Sequence, residues 1–531
     1  MKLTTRLAGA APALVLLALF AALTIYPVAR FLLLPWLGGP STGVSHLGAV
    51  SAEALVNSVR IGLESTTLAV AFGIPIAWLL ERRRWALGPV LILVLWLVFA
   101  TPSYLMTTGW QIVFSQTALV HGPFASAFFA EPGIVFLLAL KGLPFSTLAA
   151  RTSWRAIGAE LQDAARLLVP SALGRRLVIL QLLSPAAAAA FAVVFIETIQ
   201  EFGVPATLGA QVHLPIVTYA IYERLATTPV DFPGAAGLSW QLVGLALLAV
   251  AAQLWFASRF AGALVHGRRR EPPRPPCSPT ESALAATALT AIAAAGLAAP
   301  FLAMVLAALG GTEIGQPVDW SCLLYSSLYG LVAALAAVAL VAPVLLRRRA
   351  KAGAASSVIG ALSLVNMALP GVVLGAAYVI AFNEPWLPLY GTPVLLIAAY
   401  VAVQAPMLLR FLQAPVDQVH PNLSEAGRLH GLPFAVRLLD IDAPLLTPAF
   451  VWGGMMAFTQ VFFELPISEL LYPAGRAPVG VALVQLNQSL DYAQEARLAL
   501  AAIATALAIA GGVGALVRWL FAAPQPAKAP A

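Results

Sequence analysis

Charge is scarce in this chain of 531 residues: Asp, Glu, Lys and Arg together make up 10% of it. Soluble globular domains carry about 25%, so a water-soluble enzyme is excluded. Cysteine is rarer still. Cys277 and Cys322 alone give no disulfide framework and no four-cysteine zinc site. The six histidines are scattered without metal-ligand spacing. No Gly-x4-Gly-Lys-Ser/Thr loop occurs, so the chain does not hydrolyse ATP by that means. No catalytic residue, metal site or cofactor of its own is expected.

What is abundant is apolar: 60% of residues are hydrophobic and mean hydropathy is +0.87. The solvent that suits such a chain is a bilayer. A run from about Leu7 to Val28 follows Lys2 and Arg6. It is longer than a cleaved signal's apolar core and near the ~20 residues that span, so it reads as an uncleaved first span. Further apolar stretches give twelve candidates, at about 8–34, 56–80, 86–108, 132–150, 185–208 and 238–262, then 281–309, 322–346, 355–382, 393–412, 446–470 and 498–519. Backbone in hydrocarbon must satisfy its own hydrogen bonds, which makes these helices. The expected fold class is an all-α polytopic membrane protein.

The 30 Lys and Arg decide orientation. With the spans threaded alternately from a cytoplasmic N-terminus, all of them fall on cytoplasmic ends and loops except Arg30, Arg60, Lys141, Arg224, Arg476 and Arg497. This is the positive-inside pattern, with both termini cytoplasmic. It accounts for the net charge of +7 without a nucleic-acid partner. The Arg- and Pro-rich stretch from His266 to Pro276 cannot span and reads as a cytoplasmic linker. The expected domains are 1–265, a linker at 266–280, and 281–531.

The two halves repeat each other. Leu182-Leu183-Ser184-Pro185-Ala186 opens the fifth span, and Leu445-Leu446-Thr447-Pro448-Ala449 opens the eleventh. Counted from Pro185 and Pro448, Glu201 and Glu464 stand at the same offset. Asp231 and Asp491 precede the last span of each half. An even number of spans per half makes the copies parallel, which predicts a pseudo-twofold along the membrane normal and a path between the halves.

Two cytoplasmic loops, about 151–184 and 413–445, each follow the fourth span of a half. The first contains Asp163-Ala164-Ala165, then Val169 and Ile179. The second contains Glu425-Ala426-Gly427, then Gly431, Ile441 and Pro444. An acidic residue before small residues suits a closely packed helix, and a glycine six residues on suits a turn with positive φ. The pattern resembles the EAA loops of binding-protein-dependent (MetI-like) ABC importer permeases. The second copy departs from that pattern at Gly427 and Ala443; the first has Asp163 for Glu, Val169 for Gly, and Gln181 near the Leu-Pro position. The resemblance implies two fused permease halves. It also implies two copies of a separate ABC ATPase subunit docked on Asp163, Ala164, Ala165 and Val169 and on Glu425, Ala426, Gly427 and Gly431, with a periplasmic solute-binding protein on the outside and ATP bound only by the partner.

Intramembrane carboxylates are costly. The fifth span carries Glu197 and, four residues later, Glu201, a spacing that puts both on one helix face. Glu201 is followed by Gly203, and Glu464 by Pro466, each a helix breaker two residues on. Two readings stand side by side. These five residues line a gate or path, which would favour cations; or the carboxylates bond freed backbone amides or pair with a base such as Lys141. The segments around Glu201 and Glu464 resemble those of fused ferric-iron permeases, and related permeases carry thiamine, polyamines or aminoethylphosphonate. An ion-gradient-driven secondary transporter is the competing class. It explains the spans and carboxylates but not the matched loops.

Overall fold

The computed structural model describes residues 18–37, 49–117, 119–260, 274–310, 317–350, 369–419 and 421–521. Most of the linker, 266–273, and the stretch 355–368 of the ninth expected span lie outside them. The described residues are helical nearly throughout, as lipid demands of a backbone with no other partner. From the first half come α1 (Ala18–Leu32), α2 (Ala49–Arg82), α3 (Gly88–Ala100), α4 (Ser103–Gln116), α5 (Glu131–Ala156), α6 (Ala159–Leu168), α7 (Ala172–Gln200), α8 (Val217–Ala226) and α9 (Phe232–Phe260). From the second come α10 (Pro279–Gly310), α11 (Ser321–Ala350), α12 (Gly371–Ala381), α13 (Pro393–Gln418), α14 (Pro421–Leu429), α15 (Ala443–Phe462), α16 (Pro466–Leu471), α17 (Val479–Gln488) and α18 (Tyr492–Phe521). A two-residue hairpin, Asn383–Glu384 with Leu387–Pro388, follows α12.

Among the described residues, eight helices are long and apolar enough to cross a membrane, or nine if one bent pair counts as a single span. The expected twelve continuous rods are therefore corrected in three places. The stretch 86–108 is the bent pair α3–α4, turned by 97°. Pro102 lacks an amide and holds Thr101 extended, at φ −69° and ψ 126°. The stretch 185–208 breaks at Glu201, where ψ swings to 134°. The stretch 446–470 breaks between Phe462 and Pro466.

Two compact units form, and they do not follow the covalent halves. One comprises Met1–Leu33, Pro317–Leu483 and Leu498–Ala531; the other comprises Leu34–Gln316 and Val484–Arg497. The first helix of each half thus packs in the unit built mainly by the other half. In the first unit α1 lies on α12: the Tyr378 hydroxyl donates to the Leu23 carbonyl (2.6 Å), and Arg30 pairs with Glu384 (2.6 Å). In the second, α10 lies on α4 so closely that a Cβ on Gly109 would stand 2.4 Å from Pro300. There the Trp110 indole donates to the Ala295 carbonyl (2.9 Å).

The duplication is visible inside each unit. Both first helices carry a π turn six residues before a proline: Ala21–Ile25 before Pro27, and Ala294–Ala298 before Pro300. A proline leaves the carbonyl four residues back without its amide, and such gaps in a membrane helix must be filled by neighbours. Tyr378 meets the carbonyl freed by Pro27, and Trp110 meets one beside that freed by Pro300. Tyr378 and Trp110 each stand eight residues after a helix-opening proline, Pro370 and Pro102. A second repeated contact joins the Ser58 hydroxyl to the Val217 amide (2.9 Å) and the Ser326 hydroxyl to the Val479 amide (2.8 Å). Asp231 and Asp491 each cap the start of the last long helix, through Gly234 N (2.8 Å) and Gln494 N (3.2 Å).

Candidate functional site

The two loop elements differ in how they turn. α14 ends in a Schellman motif: Leu432 N donates to Gly427 O (3.0 Å), and Gly431 N donates to Arg428 O (3.0 Å). Gly431 has φ +74°, and a Cβ there would meet nothing within 4 Å. Glycine is needed for its backbone angle, not for space. Gly427 is the opposite case. It is buried, and a Cβ would stand 2.9 Å from Cδ1 of Ile441 and 3.1 Å from Cδ of Arg437. The chain after α14 folds back onto that glycine, through 434–437 and a π turn at Leu438–Asp442 into α15. Glu425 and Ala426 face solvent, and Leu429 is 88% exposed.

In the first loop, Val169 stands where the second has glycine. A β-branched residue does not take a left-handed angle, and here it does not. Instead the chain passes through Val169-Pro170 without helical structure to Ser171, whose hydroxyl accepts from Gly174 N (3.0 Å) and caps α7. Asp163, Ala164 and Val169 are half-buried; the side chain of Ala165 lies outside the described set. Leu167 and Leu168, at the end of α6, are 85% and 79% exposed. Both loops therefore present a short helix ending in bare leucine.

At the helix breaks the carboxylates cap the chain that follows. Oε1 of Glu201 accepts from Gly203 N (2.8 Å) and from the Ser103 hydroxyl (2.5 Å). Glu464 accepts from Ile467 N (2.8 Å) through Oε1, and from Ser468 N (2.9 Å) and the Ser468 hydroxyl (2.5 Å) through Oε2. A helix N-terminus offers amides and a positive dipole end, which is where a carboxylate belongs. Glu197 is exposed. It does not share a face of α7 with Glu201, because α7 ends at Gln200 and the Glu201 side chain turns to the next segment. Gly203 is required by contact: a Cβ would stand 2.4 Å from Oγ of Ser103. Pro466 opens α16 and packs 3.2 Å from a Cβ position on Gly371. Lys141 does not pair with either carboxylate. Its ammonium donates to the Phe99 (2.7 Å), Val98 and Thr101 carbonyls at the end of α3, filling the gap left at the bend.

Sequence reasoning missed one polar cluster. Glu495, 1% exposed, accepts from the Thr108 hydroxyl (2.5 Å) and from the Asn487 amide (3.1 Å). Asn487 also donates to Gln111 (2.8 Å), which donates to Gln211 (2.8 Å). The available signal was Glu495 itself, three residues ahead of the apolar stretch that marked the last span. Among the described residues, no group of three or more His, Cys, Asp or Glu is placed to hold a metal.

No family model matches the chain. It is 22% identical over 459 residues to the ferric transport system permease protein FbpB of Actinobacillus pleuropneumoniae, covering 79% of this chain and 64% of that protein. It is 30% identical over 134 residues to a "Probable ABC transporter permease protein" of Sinorhizobium fredii, covering 24% of this chain and 23% of that protein. It is 26% identical over 202 residues to the sulfate transport system permease protein CysT of Salmonella typhimurium, covering 36% and 72%. The chain thus spans about a quarter of the length of the Sinorhizobium protein and somewhat under two thirds of the Actinobacillus one. The homologues of this all-α, multi-pass protein of the bacterial inner membrane are ABC transporter permeases.

Proposed function

We propose that the chain is the fused permease subunit of an ABC importer, with ferric iron, delivered by a periplasmic binding protein, as its cargo. The observation that carries this reading is the similarity to a ferric permease across 79% of the chain. A stretch that long includes the linker and draws on both halves. The sulfate relative matches only 36%. The helix-capping roles of Glu201 and Glu464 remove the electrostatic argument for a cation, so the cargo rests on the similarity. Both termini face the cytoplasm in this reading.

The loop helices supply the coupling. α6 and α14 each carry exposed leucine at the C-terminal end, the kind of apolar tip that a groove on a partner buries. Two copies of an ABC ATPase take one helix each, and closure of the ATPases alternates access to the path. The test is co-purification of the full chain with its ATPase. A stable complex, lost when Leu168 and Leu429 are both changed to Asp, is the expected result. Uptake into proteoliposomes driven by a proton or sodium gradient with no ATPase present overturns the reading.

A further inference from the structure

At one end of the unit that contains α2, α5 and the start of α10, six arginines converge. Arg82, Arg83 and Arg84 come from the end of α2, Arg151 and Arg155 from the end of α5, and Arg274 from the linker. Two carboxylates stand among them. Glu81 receives Arg151 (2.7 Å), Arg155 (2.9 Å) and Arg274 (3.5 Å), and Glu281 receives Arg83 (2.7 Å). Six cations less two carboxylates leave these groups at +4. The Arg84 side chain has no ion pair among the described residues. Its backbone does the assembling: Arg84 N donates to Pro275 O (3.0 Å) and Cys277 N donates to Arg84 O (3.3 Å), which straps the linker and Arg274 alongside.

Four of these arginines line a cavity of about 540 Å³. Arg83, Arg84, Arg151 and Arg274 form its charged wall, and Leu80 and Ile92 form part of an apolar one. Gly88, the first residue of α3, also lines it, and the first turn of α3 has no side-chain cap. Of that turn's amides, Gly88 N already donates to Trp85 O (3.1 Å) and Leu91 N to Leu87 O (3.0 Å), and Pro89 has none, so the anion-binding groups here are the arginines. The cavity lies where α2 and α5 leave their apolar spans, with Trp85 beside it, the level at which a bilayer keeps its headgroups.

We propose that this cavity binds the phosphate of an anionic phospholipid, phosphatidylglycerol or cardiolipin, with the acyl chains along the apolar wall. The shared chemistry is a phosphate ester. A free phosphate ion would leave the leucine and isoleucine wall uncovered, and a choline headgroup would add a cation to a site whose four lining arginines already exceed their two glutamate partners. The site depends on membrane embedding alone, and its assignment to the cytoplasmic leaflet follows from the orientation proposed above. No ATPase or cargo enters its test, so failure here is separate from failure of the transport reading.

The experiment is native mass spectrometry of the full chain released from nanodiscs containing equal amounts of phosphatidylglycerol and phosphatidylcholine. Wild type is expected to retain phosphatidylglycerol at least about fivefold over phosphatidylcholine. One cation near a membrane surface is worth about that factor, so Arg84→Ala should lower retention about fivefold and Arg84→Glu, a change of two charges, about thirtyfold. Equal retention of the two lipids by wild type overturns the proposal without reference to any variant. So does unchanged retention in Arg84→Glu, and so does displacement of the bound lipid by millimolar inorganic phosphate, which would mark a site for the free anion.

Discussion

Gly427 and Gly431 show how differently two glycines in one loop can act. Gly431 sits at φ +74° with open space around it, so Gly431→Ala introduces no clash. It places a Cβ in the left-handed region, at a cost of about 1 kcal/mol. Hydrogen exchange of amides 427–432 should quicken about fivefold, while the melting temperature of the whole chain stays put. Gly427 has an ordinary backbone but a filled space beside it, so Gly427→Val should cost about 1–3 kcal/mol by overpacking. The two glutamates at the helix breaks make the next test. If Glu464 is a cap, Glu464→Ala should destabilise the chain in detergent by about 1–2 kcal/mol, and Glu464→Gln by less, because one amide contact survives. An unchanged melting curve for Glu464→Ala would return this residue to the path. The sequence showed that Glu201 and Glu464 were equivalent and stood before a breaker. It did not show which way they pointed, because a carboxylate bonding backbone amides leaves no signature in residue type.

Elements, unlike residues, are hard to delimit by hydropathy alone. The apolar run 86–108 looks like one span because Leu, Val, Ile and Phe continue up to Pro102. The 97° bend there is held by a partner far along the chain, Lys141. An intramembrane lysine stands out in a sequence, but the backbone carbonyls it serves do not. Lys141→Met should leave the α3 carbonyls short of a donor and cost about 1–3 kcal/mol, seen as faster exchange in α4 and a lower melting temperature. The paired contacts of the first helices give a sharper test. Tyr378→Phe and Trp110→Phe each remove one donor to a carbonyl near a proline, Leu23 and Ala295. Each should cost about 1–2 kcal/mol. The equality matters more than the size: matched losses would show that the duplicated helices share one device despite using different side chains. That equivalence was invisible in the sequence, because Tyr and Trp do not align by type and only their offsets from Pro370 and Pro102 agree.

Across the whole molecule, composition alone settled the class: so little charge on so apolar a chain leaves only the bilayer. The duplication was equally legible, since copied prolines and carboxylates keep their spacing after most other residues have drifted. The exchange of first helices between the units was not legible, because an apolar helix face packs on many others and nothing in α1 specifies α12 rather than a neighbour in its own half. A similar asymmetry bears on the proposed coupling. The two loops occupy equivalent places but are not equivalent structures: α14 ends in a glycine turn and α6 runs through Val169-Pro170 into a serine cap. If each holds one ATPase, altering one loop should remove one copy and leave the other. Native mass spectrometry of the purified complex should then count two ATPases on the wild type, one on Leu429→Asp, one on Leu168→Asp and none on the double variant. Because Leu429 stands at a hydrogen-bonded Schellman end and Leu168 at a turn without a left-handed residue, Leu429→Asp should give the larger fall in ATP-driven uptake. Loss of both ATPases from either single variant would mean that the two copies bind only as a pair, and the arrangement of two independent levers would have to be abandoned.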